Sequence, residues 1–141
     1  MKTEIHICRS ETEMITLGSI LSQTLQGGEV FALTGDLGLG KTTFVKGLAL
    51  GLQSTVTPTS PTFNLVHRYS GGRLLLIHYD LYRLKKLQEV EALDLETELQ
   101  GPHVIAIEWP ALVKSILPVD RTRWIEFSEV NDSERRVTLT S

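Results

Sequence analysis

A glycine-rich octapeptide, residues 35–42, has the residue types and the spacing of a phosphate-binding loop. Its members are Gly35, Asp36, Leu37, Gly38, Leu39, Gly40, Lys41 and Thr42, which match the pattern G-x-x-x-x-G-K-[ST] without a gap. Glycines allow backbone conformations that a Cβ would forbid, so that successive N–H groups can point inward at phosphate oxygens. In this pattern the Lys41 ammonium reaches the β- and γ-phosphates, and the Thr42 hydroxyl takes a coordination position of Mg²⁺. Thr43 is placed to contact the α-phosphate, and the alternative for the whole segment is a glycine-rich turn with an exposed lysine.

Two acidic residues follow short apolar stretches, and both are candidates for the chemistry beside such a phosphate site. Asp80 comes after the apolar residues 74–77, and Glu108 comes after the apolar residues 104–107. Ligands of open α/β sheets bind beyond the carboxyl ends of the strands, so each acid could hold Mg²⁺ or orient an attacking water. The alternatives are a helix N-cap for Asp80 and a solvated strand end for Glu108, and the spacing does not divide the two roles. Trp109 directly follows Glu108, and it would lie either in the core or near the site.

Other polar residues could complete this site. Residues 57–62 are almost entirely Ser, Thr and Pro, which is typical of a loop. A loop at this place could respond to a γ-phosphate or to Mg²⁺, with Thr62 as the preferred contact, or it could be a plain polar surface loop. His78 and Tyr82 stand two residues before and two residues after Asp80, and for each of them packing and site contact are equally open.

The elements that must position these residues can be read from the apolar pattern. An apolar strand over residues 30–33 enters the glycine-rich loop, and a helix is expected to begin near Lys41 and to end by Gly51. Residues 3–8 alternate between polar and apolar, as a half-buried strand does. A helix then follows Ser10, with Glu13 completing a capping box, and its apolar positions run to residue 25.

The second half of the chain alternates strands with helical segments. The predicted elements are a hairpin of residues 63–69 and 73–78 around two glycines, one or two surface helices within residues 81–99, a buried strand at residues 104–107, and a closing antiparallel hairpin of residues 123–130 and 135–139. Continuous apolar strands between helices indicate a mainly parallel sheet covered on both faces, and the alternating strands at the start and the end indicate antiparallel edges. The predicted fold is therefore a single α/β domain, residues 1–141, built as a three-layer sandwich on a mixed sheet.

Composition excludes several classes of protein. The 141 residues are 41% hydrophobic and 22% charged, as in an ordinary globular domain, and the net charge of -3 argues against a general nucleic-acid coat. The single cysteine, Cys8, cannot form an internal disulfide and is expected to be a small apolar core residue. No apolar run is long enough for a membrane span, and the charged, alternating residues 1–9 do not resemble a signal peptide, so we expect a cytoplasmic protein without a membrane partner.

Four motifs, taken together, resemble one family. They are GDLGLGKTTF at residues 35–44, SPTF at residues 60–63, HYDLYRL at residues 78–84 and EWP at residues 108–110. In this order and spacing the set is similar to the bacterial TsaE (YjeE) family of P-loop NTPase-like proteins, which serve in the threonylcarbamoyladenosine modification of tRNA. Leu39 stands where alanine is more usual in that family, a peripheral difference with no consequence for the chemistry.

The resemblance implies a function and a set of roles. It implies an ATPase that uses ATP/ADP and Mg²⁺, is weak alone, acts with the partners TsaB and TsaD, and meets tRNA only through that complex. It implies phosphate and metal contacts for Lys41 and Thr42, and acidic site roles for Asp80 and Glu108, with Glu108 as the preferred Mg²⁺ ligand. The remaining implied contacts are Trp109 as the site tryptophan, Thr62 in the switch-like loop, and Thr12 with its neighbour Glu11 at the adenine. No residue matches an arginine finger firmly; the candidates are Arg83, Arg135 and Arg136.

Three other functions remain as alternatives at this point. A small P-loop kinase would need an acceptor pocket and an arginine-rich lid, for which 141 residues leave little room. A GTPase switch would need a guanine-reading Asn-Lys-x-Asp segment, which the sequence lacks. A module that binds nucleotide without turnover would not need the two acids at the strand ends.

Overall fold

The computed structural model describes residues 2–56 and 65–140. The strands are β1 (Thr3–Cys8), β2 (Val30–Thr34), β3 (Val66–Tyr69), β4 (Leu76–Asp80), β5 (Val104–Glu108), β6 (Thr122–Glu129) and β7 (Arg135–Thr140). The helices are α1 (Glu11–Ser22), α2 (Lys41–Gly51), α3 (Leu87–Glu91), α4 (Leu95–Leu99) and a 3₁₀ helix (Pro110–Ile116). Within these residues, no helix has the length and apolar character needed to cross a bilayer.

All of these strands join one sheet, in the order β1-β7-β6-β2-β5-β4-β3. The four central strands β6, β2, β5 and β4 are parallel, whereas β7, β1 and β3 pair antiparallel with their neighbours. The predicted mixed sheet with a parallel core and antiparallel edges is confirmed. One detail differs from the prediction, because β1 pairs along the whole of β7. The last strand therefore lies inside the sheet, and β3 forms the second edge.

Helices cover both faces of the sheet, as its continuous apolar strands require. Phe31 and Leu33 of β2 pack in a core with residues of α1 and α2, while Val30 and Ala32 pack on the opposite face with residues of α3, α4 and the 3₁₀ helix. The predicted three-layer sandwich, of the kind found in P-loop NTPases, is therefore confirmed. It places α2 over the central strands and the loop that precedes it at the carboxyl end of β2.

Helices α1 and α2 pack closely through glycine. A Cβ on Gly18 would come within 2.5 Å of the Phe44 carbonyl oxygen, and a Cβ on Gly47 would overlap the Ile15 carbonyl oxygen. Close contact of the two backbones fixes α2 against α1 and, through it, against the start of the chain. The beginning of α1 is therefore held close to the glycine-rich loop.

The predicted start of α1 after Ser10 is confirmed, but only one half of the predicted capping box forms, and the helix ends earlier than predicted. The Ser10 hydroxyl accepts the Glu13 N–H at 3.1 Å, while the Glu13 carboxylate accepts the N–H of Arg9, one residue before the cap. The helix ends at Ser22 rather than residue 25, because the next N–H groups bond to carbonyls three residues back, as in Leu25 N–H to Ser22 O at 3.2 Å. Leu25 is nevertheless buried.

Strand β4 differs most clearly from its predicted bounds. Strand β4 begins later and ends later than predicted, because its pairing with β5 runs from Leu76 opposite Val104 to Asp80 opposite Glu108. The start of the predicted strand over residues 63–69 lies outside the described residues, and of its described part Val66–Tyr69 form β3. Residues 81–99 contain two short helices, as predicted, whereas the 3₁₀ helix after Trp109 was not predicted.

Candidate functional site

The glycine-rich loop connects the end of β2 to the start of α2, and its glycines are required by its geometry. Gly35 has φ 138° and Gly40 has φ 99°, both in the region that favours glycine. A Cβ on Gly35 would also come within 2.5 Å of the Phe127 carbonyl oxygen. Gly40 is the N-cap of α2, whose first N–H groups have no intrahelical partner and carry a partial positive charge. The glycine-rich loop and the free N–H groups at the start of α2 together form a site that favours the binding of an anion.

Three strand ends meet beside this loop. Leu33 of β2 lies opposite Glu108 of β5, and Glu108 lies opposite Asp80 of β4 in the parallel register. The N–H of Trp109 donates to the Leu33 carbonyl at 3.3 Å, which continues the pairing past the end of β5. The two acids thus occupy neighbouring positions at the carboxyl edge of the sheet.

Glu108 is buried, with only 4% of its surface exposed, and it has two hydrogen-bond donors. His78 Nε2 lies 2.6 Å from Glu108 Oε2, and the Thr42 hydroxyl donates to the same oxygen at 2.9 Å. Burial raises the pKa of Glu108, but the hydrogen bonds and charges of His78, Thr42 and Lys41 together lower it below its ordinary value. The carboxylate is therefore held in its charged form.

Lys41 is also buried and lies close to these groups. Its ammonium donates to the Gly35 carbonyl, and Nζ lies 3.6 Å from the centre of the Trp109 ring. Burial lowers the pKa of Lys41, an effect that the charges of Glu108, Asp80 and Asp36 oppose. A cation held among carboxylates and an aromatic face is a suitable partner for a multiply charged anion.

The aromatic side of the site depends on an unusual backbone conformation. Trp109 has φ 59°, a left-handed value that is rare for a bulky residue. Its ring centroid lies 4.9 Å from that of Tyr82, which is half exposed. The Asp80 carboxylate accepts the Tyr82 N–H at 3.1 Å, which fixes the turn after β4. Asp80 and the two rings are therefore positioned together.

These groups line a cavity of about 430 Å³. The lining residues come from β1 and α1, from the glycine-rich loop and α2, from the ends of β4 and β5, and from the β6–β7 hairpin: Cys8, Ser10, Glu11, Met14, Leu37, Gly38, Leu39, Gly40, Lys41, Thr42, Thr43, Asp80, Tyr82, Glu108, Trp109, Ser133 and Arg135. A cavity of this size can hold a small organic ligand.

Most of the residues given a site role from the sequence line this cavity, whereas Gly35, Asp36 and Thr12 are not among its lining residues. Gly35 and Asp36 line a second cavity of about 480 Å³, which shares Leu37, Gly38, Leu39 and Arg135 with the first. Thr12 is exposed and is not among the lining residues, although its neighbour Glu11 is. Thr62 lies outside the described residues. The functional roles of all the residues proposed from the sequence, lining or not, stay predictions.

Several lining residues were not proposed from the sequence, including Ser10, Met14 and Ser133. Cys8, expected to be a core residue, is buried and also lines the cavity, and burial raises the pKa of its thiol. These residues arrive through the antiparallel pairing of β1 with β7, which sets Cys8 opposite Arg135. No local motif marks a contact between the two ends of the chain.

Of the three arginines named as candidates for a catalytic finger, Arg135 lines the cavity. Its guanidinium donates to the carbonyls of Asn131 at 2.8 Å and Glu134 at 3.1 Å, within its own hairpin. Arg83 and Arg136 are exposed and are not lining residues. Arg135 is therefore the candidate that the fold brings to the site.

The donor set fits a divalent cation that completes its coordination with ligand oxygens. Among the described residues, no group of three or more His, Cys, Asp or Glu side chains could hold a metal unaided. The Thr42 hydroxyl and the Glu108 carboxylate do converge at 2.9 Å, with Asp80 beside them at the strand end. Mg²⁺ prefers such oxygen donors and is usually bound by one or two carboxylates together with phosphates.

The chain is similar to known proteins over most of its length. Residues 8–137 match the model of the family described as threonylcarbamoyl adenosine biosynthesis protein TsaE. The chain is 42% identical to the tRNA threonylcarbamoyladenosine biosynthesis protein TsaE of Borreliella burgdorferi, over 86% of this chain and 89% of that protein. It is 39% identical to the TsaE protein of Treponema pallidum, over 94% of this chain and 97% of that protein. The crystal structure of Bacillus subtilis YdiB superimposes with a TM-score of 0.80 at 31% identity, covering 99% of this chain and 86% of that one.

Proposed function

The chain belongs to the TsaE family, and from that premise we propose that it is a Mg²⁺-dependent ATPase acting in the threonylcarbamoyladenosine modification of tRNA. The observation that carries the proposal is the convergence of Lys41, Thr42 and Glu108 at the head of α2. The names of the relatives indicate the pathway, and the residues that line the cavity indicate the chemistry.

The glycine-rich loop binds the phosphates in this proposal. Its N–H groups and the N-terminus of α2 provide donors and a positive field for the phosphate oxygens. Lys41 exchanges its contact with the Gly35 carbonyl for contacts with the β- and γ-phosphates. Thr43, in the first turn of α2, contacts the α-phosphate. The adenine and ribose then lie toward the part of the cavity lined by Glu11 and Ser133, where Thr12 is the neighbouring candidate.

Thr42 and Glu108 hold Mg²⁺ in this proposal, and Asp80 stands next to them. When bound, Mg²⁺ neutralises charge on the β- and γ-phosphates. The lowered pKa of Glu108 keeps its carboxylate ionised, which a metal ligand requires. Asp80 orients the attacking water and accepts its proton while the bond between the β–γ bridging oxygen and the γ-phosphorus breaks, giving ADP and inorganic phosphate.

The partners follow from the family. We propose that hydrolysis is slow in the isolated protein and is coupled to the TsaB–TsaD complex, through which the protein meets tRNA. The net charge of -3 supports an indirect encounter with tRNA, because a chain that binds RNA by itself usually carries a basic excess. No membrane partner is proposed.

The test is ATP hydrolysis measured alone and then with TsaB, TsaD and tRNA, for the wild type and for Lys41→Ala. Lys46→Ala is the matched control, since Lys46 is an exposed lysine on the same helix. We expect the partners to stimulate hydrolysis in the wild type and in the control but not in Lys41→Ala. Equal hydrolysis by all three proteins would overturn the proposal, and transfer of phosphate to a metabolite instead of water would favour a kinase.

A further inference from the structure

His78 is a buried polar residue that the proposed mechanism does not use. It is the third residue of β4, only 2% of its surface is exposed, and it lies opposite Ala106 of β5. A buried imidazole is costly unless its polar atoms have partners. The partner of Nε2 is Glu108 Oε2 at 2.6 Å, a short contact between two side chains that are both almost fully buried. An apolar residue at this position would fill the same space in the core without the cost of burying a polar group.

We infer that His78 is a positioning residue, whose Nε2–H group holds the Glu108 carboxylate in the orientation that a divalent cation bound with the nucleotide requires. The inference rests on the proposed function, since it concerns the same site. It adds a residue that acts on the cation through Glu108 without touching either cation or nucleotide.

The first support is the direction of the two hydrogen bonds on Glu108. His78 approaches Oε2 from β4, and Thr42 approaches the same oxygen from α2. Both bonds go to Oε2, and no residue in the described part of the chain donates to Oε1. Two donors from different elements fix the rotation of the carboxylate, and none of the described residues competes with a further ligand for Oε1. Carboxylates that bind metals are commonly held by hydrogen bonds of this kind.

The second support is the location of His78 behind the site. Glu108, Thr42 and Asp80 line the cavity, whereas His78 is not among its lining residues. The ring of His78 also lies against that of His67 on β3, with centroids 6.2 Å apart. An imidazole confined between β3 and Glu108 can act on a ligand in the cavity only through Glu108.

The experiment measures ADP affinity by calorimetry with and without Mg²⁺, and its readout is the gain in affinity that Mg²⁺ produces. His78→Leu removes the donor at similar volume, and His78→Gln keeps an N–H donor at a similar distance from the backbone. His103→Gln is the matched control. His103 stands just before the start of β5, at the opposite end of that strand from Glu108, and its Nε2 lies 3.7 Å from a carboxylate oxygen of Glu98. Thermal melting without ligand verifies that each variant is folded.

We expect His78→Leu to reduce the Mg²⁺-dependent gain by about 10- to 100-fold, the usual effect of removing a group that orients a metal ligand. Affinity without Mg²⁺ should stay within about 3-fold of the wild type, because the phosphate contacts of the loop are untouched. His78→Gln should keep most of the gain, and His103→Gln all of it. In a Glu108→Gln background, His78→Leu should have no further effect, because His78 acts through that carboxylate.

Two results would overturn the inference and leave the proposed function standing. One is that Mg²⁺ raises the ADP affinity of His78→Leu as much as that of the wild type. The other is that His78→Leu loses ADP affinity equally with and without Mg²⁺, which would mark a purely structural role. If His78→Leu does not fold, His78→Asn takes its place, since its shorter amide falls short of Glu108. Absence of any nucleotide binding by the wild type would instead reject the proposed function and, with it, the inference.

Discussion

The ammonium group of Lys41 lies 3.6 Å from the centre of the Trp109 ring and donates to the carbonyl of Gly35. A polyphosphate bound by the glycine-rich loop would compete for the same ammonium, because Lys41 is the lysine of the phosphate-binding pattern. Binding would therefore alter the electrostatic environment of the indole. The fluorescence of Trp109 should therefore act as a reporter of nucleotide binding.

The first prediction concerns this reporter. We expect the tryptophan emission of the protein to change when ATP or ADP binds, and the change to come from Trp109. The second tryptophan, Trp124, lies on β6 near Lys114 and outside the cavity. Fluorescence titration should therefore give the same change in Trp124→Phe and none in Trp109→Phe. The reverse pattern would contradict the placement of the nucleotide beside Trp109.

The second prediction separates the two acids. Asp80→Asn should lower the rate of hydrolysis by about 100-fold or more, the usual loss when a general base is removed, with little effect on ADP affinity. Glu108→Gln should lower both the rate and the Mg²⁺-dependent part of the affinity, because it alters a metal ligand. Single-turnover hydrolysis and calorimetry measure the two quantities. An Asp80→Asn variant that hydrolyses ATP at the wild-type rate would remove Asp80 from the mechanism.

The third prediction concerns the packing that holds α2. Gly47→Ala places a Cβ against the Ile15 carbonyl oxygen and should lower the free energy of unfolding by about 1 to 3 kcal/mol, the usual cost of overpacking. Helix propensity alone predicts a gain of roughly 1 kcal/mol for the same change, so the two effects have opposite signs. Urea denaturation decides between them, with the exposed neighbour Lys46→Ala as the control. A stabilised Gly47→Ala would mean that α1 and α2 are further apart than described.

The fourth prediction is a pH dependence. Burial, with a smaller contribution from the Glu98 charge, raises the pKa of Tyr79 from 10 to about 12. Because the folded state favours the neutral phenol, this stabilisation is complete below pH 10 and is lost as the pH rises toward about 12. Tyr79→Phe should lose the hydrogen bond to the Leu93 carbonyl and be less stable at pH 8. Above pH 10 its free energy of unfolding should fall less steeply than that of the wild type, by up to about 1.4 kcal/mol per pH unit.

Urea unfolding curves between pH 8 and pH 11 provide the measurement for Tyr79. A constant difference between Tyr79→Phe and the wild type over this range would contradict a buried phenol. The comparison with Phe removes the contributions of the other titrating groups, which both proteins share.

Much of the framework could be predicted because its signals are local. The apolar run before Gly35 and the glycine pattern after it fix a strand, a loop and a helix within a short stretch of chain. Parallel strands end at one edge, which is why Asp80 and Glu108 could be expected to be neighbours before their register was known. The roles given to them, and to Thr12 and Thr62, stay predictions.

The rest depends on contacts between distant parts of the chain. Cys8 and Arg135 line the same cavity because β1 adds to the edge of β7, and no pattern within either segment indicates this pairing. His78 alternates with apolar neighbours in the same way as a core residue and as a site residue would. Its partner, Glu108, is 30 positions away, and only the register of β4 with β5 brings the two together.

The most direct test of the central claim, that the head of α2 binds a nucleoside triphosphate with Mg²⁺, is calorimetric titration of the wild type, Lys41→Met and Lys46→Met with ATP in the presence of Mg²⁺. We expect the wild type and Lys46→Met to bind with equal affinity, and Lys41→Met to bind at least about 10-fold more weakly, as the loss of a charge-assisted hydrogen bond implies. Equal binding by all three proteins, or no binding by the wild type, would contradict the account.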